Sequence, residues 1–96
     1  MDAEDLRVLL LQQEGVEVLT PVALTHLEQN PLAEGAFYPG DLLAAVLKIP
    51  RTYWHQHPDQ GQRASGVIKA VERLGNLNDH NAPHATIWQE ITRFRS

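Results

Sequence analysis

Five histidines in 96 residues are the first candidates for chemistry in this chain. His55 and His57 flank Gln56, and His80 and His84 stand four apart, the spacing at which two side chains on one helix can share a metal ion. The company they would need is missing. Pro83 falls between His80 and His84 inside "NDHNAPH", which reads as loop, and no acid completes an H-E-x-x-H pattern. There is no cysteine, so thiolate ligands and thiolate nucleophiles are both excluded. His55, His57, His80 and His84 are therefore expected as loop histidines, with no metal, and His26 as a half-buried residue in mid-helix.

Other catalytic arrangements fare no better. No G-x-S-x-G elbow is present, and "GQRASG" lacks the Lys-Ser/Thr ending of a phosphate loop and follows no strand. No enzymatic activity and no cofactor are expected. Lys48, Arg51, Tyr53, Trp54, Arg63, Lys69 and Arg73 interleave basic and aromatic groups, as a nucleic-acid reader would. Against that stand the net charge of −4 and the expectation that Tyr53 and Trp54 anchor the core of so short a chain.

The acids are unevenly placed. Residues 1 to 50 carry eight of them against Arg7 and Lys48, for −6, whereas residues 51 to 96 carry four against six bases, for +2. An acidic half favours a basic partner and repels a phosphate backbone. Within it, "AEGAFYPGD" sets Glu34 and Asp41 around Phe37 and Tyr38, with Glu28 a few residues earlier. Phe37 is expected inside the fold and Tyr38 partly outside, giving an aromatic centre with an acidic rim, a combination suited to capturing a basic protein. Glu14 and Glu17 extend the same acidic half.

These residues must be held by helices, because no strand-like alternation and no two-residue hairpin signal persists anywhere. Leu6, Leu9 and Leu10 repeat at helical spacing behind Asp2, a natural N-cap, and Gly15 is the expected stop. Thr20 and Pro21 read as N-cap and first residue of a second helix, ended by Asn30 before Pro31. Pro39 or Asp41 opens a third, with Leu42, Leu43, Val46 and Leu47 buried. A short turn, "PRTYWHQ", runs from Pro50 to Pro58. Ala64, Val67, Ile68, Val71 and Leu74 form a fourth helix with Gly75 at C′. Residues 76 to 85 read as a polar loop, and Thr86 with Gln89 matches a capping box opening a fifth helix through Phe94. One all-α domain over residues 1–96, of about five short helices, is expected, since a chain of this length supports one core. The N-terminal segment is acidic and its apolar run is short for a signal peptide or membrane span, so the expected location is the cytoplasm.

The run "EDLRVLLLQQEGVEVLTPVALTHLEQNPLAEGAFYPGDLLAAVL", residues 4 to 47, resembles the contact-dependent growth inhibition immunity proteins of bacteria. The similarity is carried by "EDLR" opening a helix, "LTPVAL", "LEQNPLAEG" and "FYPGDLL" before a small apolar helix, in that order; residues 58 to 96 carry no family motif. The resemblance implies a small cytoplasmic protein that binds and neutralises a cognate toxin domain, often a nuclease, with no reaction of its own. On this reading the contact residues are Glu28, Glu34, Tyr38 and Asp41, then Glu14 and Glu17. The rival readings are a helical nucleic-acid-binding or regulatory protein using Lys48, Arg51, Lys69 and Arg73, and a structural subunit of a larger assembly.

Overall fold

A computed structural model describes residues 1–96. Six α-helices and one 3₁₀ turn follow in order: α1 (Ala3–Leu11), α2 (Val16–Gln29), α3 (Asp41–Leu47), α4 (Arg51–Gln56), α5 (Pro58–Arg73), the 3₁₀ turn Leu77–His80, and α6 (His84–Arg95). The only extended pairing is a single antiparallel bridge between Glu34 and Pro39. The all-α expectation is met, with the short turn after Pro50 forming a helix in its own right. No helix is long and apolar enough to cross a membrane.

The third helix is the pivot. All seven residues of α3 are buried: after Asp41 the helix is apolar on every side, and such a helix must lie inside. It packs against α1, α2 and α6; α5 lies along α2, and α4 against α5. Leu6, Leu24, Leu27, Leu42, Leu43, Val46, Ile68, Val71, Ile87 and Ile91 fill one continuous core. Full burial of such side chains contributes about 1.5–3 kcal/mol each before conformational entropy is counted. Trp54 closes one end, its indole N–H donating to the Ile49 carbonyl at 3.2 Å and its ring meeting Phe94 edge-on.

Local signals were kept in some places and overridden in others. Asp2 caps α1, its carboxylate accepting from the Asp5 N–H at 2.9 Å. Gly75, at φ +75°, ends α5 as expected. By contrast, α2 opens at Val16 behind Gly15 (φ +65°), so Gly15 begins a helix rather than stopping one. Thr20 is inside α2, buried, with its hydroxyl donating to the Val16 carbonyl at 2.7 Å. The bond that Pro21 forgoes would run to the carbonyl of Glu17, an exposed residue, so the cost of the missing donor falls at the surface and not in the core. Pro58 ends α4 and also opens α5 as its first residue, so α5 starts well before Ala64 and carries Gly61 and Gly66 within it. The Thr86 capping box does not form, because α6 begins at His84, behind Pro83. The polar stretch of residues 76 to 85 is tied down at Leu77 and Ala82, both buried in the core.

Candidate functional site: a loop held by two carboxylates

Between α2 and α3 the chain must reverse in a few residues, and the loop from Leu32 to Gly40 does so around two acids. Asp41, the first residue of α3, turns its side chain back over the loop: Oδ1 accepts from the Gly35 N–H at 2.6 Å, and Oδ2 from the N–H groups of Phe37 at 3.0 Å and Tyr38 at 3.4 Å. The amide left over, that of Ala36, donates to Glu4 Oε1 at 2.8 Å. Four successive N–H groups thus point inward at carboxylates. Gly35 sits where only a hydrogen fits, since a Cβ there would lie 2.5 Å from Glu4 Oε1 and 3.1 Å from Asp41 Oδ2.

Arg7 completes the arrangement. Its guanidinium makes a bidentate pair with Glu4, both contacts at 2.7 Å, lies 3.8 Å from Asp41 Oδ2, and covers the Phe37 ring at 4.5 Å from the centroid. The Arg7 guanidinium, then the Ala36 N–H, holds the Glu4 carboxyl down at about 2, against an ordinary value of 4.5. The same pair raises the Arg7 pKa further. Burial, and then the nearby Asp41 and Glu90 charges, raise that of Tyr38.

The outcome reverses one expectation from the sequence: Phe37 is outside, 68% exposed, while Tyr38 is half-buried and packs against the core as anticipated. The backbone of residue 37 is fixed by Asp41, and the side chain has no way in. Asp41 is likewise corrected from rim to interior, being only 3% exposed and fully engaged with the loop. Its carboxylate shapes the surface without being offered on it. Glu34 is exposed, makes no ion pair and stands beside Phe37 in the loop. Glu28 lies on the exposed side of α2 in a bidentate pair with Arg63 at 2.7 and 3.0 Å, which lowers its pKa and offsets its charge.

Glu14 and Glu17 are exposed but belong elsewhere. They flank the α1–α2 corner, separated from Glu4 by seven residues of α1, about 10 Å of helix. There they adjoin exposed Leu11, Val18 and Val22 in the chain, a second apolar and acidic region; helical spacing puts Val22 on the apolar side of α2 with Ala23, Leu24 and Leu27, but it is exposed while those three are buried. The six residues read as one rim are therefore a loop pair (Glu34, Tyr38), a buried organiser (Asp41), a neutralised acid (Glu28) and a distant corner (Glu14, Glu17).

The basic and histidine sets also separate. Tyr53 and Trp54 are buried, with the Tyr53 hydroxyl donating to Gln60 and its ring stacked on His57, so neither offers a face to a base. Arg63 is taken by Glu28; Lys69 and Arg73 lie on α5, apart from the cleft that Lys48 and Arg51 line. His84 is in α6, not in a loop as expected, and its Nδ1 accepts from the Leu77 N–H at 3.0 Å; no three His, Asp or Glu side chains converge.

The chain is thus a small all-helical protein that carries an exposed aromatic ring on a loop bonded to two carboxylates. Residues 1–64, two-thirds of the chain, match the family of CDI immunity proteins, and the chain belongs to that family. The match takes in α1 to α4, the whole of the pinned loop and the start of α5. No curated protein and no solved structure matches the chain.

Proposed function

We propose that this chain binds and neutralises a cognate toxin of contact-dependent growth inhibition in the cytoplasm of the producing cell, by non-covalent association and with no reaction of its own. Family membership supports the role, and one observation supports the place: an exposed phenyl ring carried on a loop in which the four successive amides of Gly35 to Tyr38 are already bonded to carboxylates. A loop fixed before contact loses little entropy on binding, which is where much of the cost of association lies. Phe37 is the anchor, flanked by Glu34 and Tyr38, with the Arg7 guanidinium beneath the ring. Glu34, Glu14 and Glu17 give the first half a negative approach suited to a basic toxin such as a nuclease, and speed its encounter.

The test is association with the toxin domain encoded beside this gene. Wild-type protein should bind it, and Phe37→Ala should weaken binding by more than about tenfold through faster dissociation while costing no more stability than the Arg7 contact it loses, about 0.5–1 kcal/mol. Failure of the wild type to bind at micromolar concentration would overturn the role. Unchanged affinity of the Phe37 variant would overturn the loop as its site.

A further inference from the structure

At the opposite end of α3 from the loop, its C-terminus meets α4 and α6 around a cleft of about 150 Å³. Lys48, Arg51 and Arg93 line it, over a floor that includes Ile49, Trp54 and Phe94. No acid lines it. Of the eight basic residues, Arg7, Arg63, Arg93 and Arg95 are paired with carboxylates, and Lys48, Arg51, Lys69 and Arg73 are not; of these four, Lys48 and Arg51 line the cleft. Arg51 is nonetheless fixed, one Nη2–H donating to the Arg93 carbonyl at 3.1 Å, which leaves the rest of its planar fork open. Arg93 is bound to Glu90 and contributes less free charge.

We infer that this cleft docks an acidic segment of a partner protein, with one Asp or Glu carboxylate between Lys48 and Arg51 and a neighbouring apolar side chain on the Trp54–Phe94 floor. A guanidinium held in place with its fork open is matched to a planar carboxylate. A nucleic-acid strand fits less well: it needs a track of several cations along its backbone, whereas Lys69 and Arg73 lie outside the cleft. This inference is independent of the toxin reading and uses none of the loop residues.

The experiment is a titration of the full isotopically labelled chain by NMR at low ionic strength with a capped peptide of sequence GLEEFG, its neutral counterpart GLQQFG, and a short oligothymidylate. The chain has two tryptophans, so the Trp54 indole N–H signal reports the cleft and that of Trp88 serves as reference. The acidic peptide should move the Trp54 indole and the amides of Lys48 to Arg51 with a Kd of about 1 mM or tighter, and the neutral peptide should not. Arg51→Glu should weaken binding about tenfold or more. Lys48→Gln, at a side chain that makes no bond within the chain, provides a second variant with the same expected direction. Equal binding of both peptides, shifts confined to residues outside the cleft, tighter binding of the oligonucleotide at the same residues, or no shift with saturating acidic peptide would each overturn the inference.

Discussion

Replacing Asp41 by asparagine separates a structural acid from a recognition acid. The side chain keeps its shape but exchanges one acceptor oxygen for an N–H₂ group, and both oxygens are in use: one by Gly35, the other by Phe37 and Tyr38. Whichever way the amide turns, a donor faces a donor. Hydrogen bonds to a charged group contribute about 1.5–3 kcal/mol each, and the substitution removes at least one and leaves a nearly buried N–H unpaired, so a loss of about 2–4 kcal/mol is expected. A domain of this size has about 5–14 kcal/mol in total, so the fold should survive with a clearly lower midpoint. Urea denaturation followed by helical circular dichroism should show a fall of about 1–2 M, since slopes for small domains are about 1–3 kcal/mol per molar. The exposed Glu28–Arg63 pair supplies the comparison: Glu28→Gln should cost about 1 kcal/mol or less. If Asp41→Asn shifts the midpoint no more than Glu28→Gln does, the carboxylate does not organise the loop, and the reasoning that places Phe37 outside loses its basis.

Other consequences are as direct. Glu4 has its folded pKa at about 2, below the ordinary 4.5, so the stability it contributes is present above pH 4.5 and is lost as pH falls from there toward 2; urea midpoints across that window should fall less steeply in Glu4→Gln than in the wild type. Gly40 has φ +94° and a Cβ there would lie 2.5 Å from Ile87 Cδ1, so Gly40→Ala should cost about 2–4 kcal/mol in the same assay. Gly66 is helical with open space around it, and Gly66→Ala should stabilise by about 0.5–1 kcal/mol. Leu77→Ala, in the stretch that reads as a polar loop, should cost about 2–5 kcal/mol, as a fully buried leucine does.

What could be read from the sequence was what acts locally. The Asp2 cap, the apolar run of α3 and the glycine after α5 are each set by side chains within a few residues, and each is found where periodicity and capping placed it. Two of the three misplaced helix starts share a cause: Thr20–Pro21 and Thr86–Gln89 have the spacing of helix openings, but the helices are longer and begin upstream, behind Gly15 and Pro83. The loop was misread for a different reason. Its decisive contact joins Glu4 to the Ala36 amide across 32 residues, and no spacing rule relates those positions. "FYPGD" marks a loop before a helix, yet nothing in its composition says that the aspartate faces the backbone and the phenylalanine the solvent. The Lys48–Arg51–Arg93 cleft was half legible: two of its bases were grouped, but with Lys69 and Arg73 rather than with the C-terminal arginine that tertiary packing brings to them.

The four inward-turned amides of the loop have one more consequence. The bonds that fix residues 35 to 38 are made by main-chain N–H groups to acids rooted in α1 and α3, so no hydrogen bond of the loop uses the side chain of Ala36 or Phe37, and the Phe37 ring lies against the Arg7 guanidinium. The scaffold and the message are written in different atoms. Residue 37 can be exchanged for a larger, smaller or polar side chain while all four of these bonds are kept, and only a basic one would face the Arg7 guanidinium, so that position can vary at less cost to the loop than any residue that bonds it.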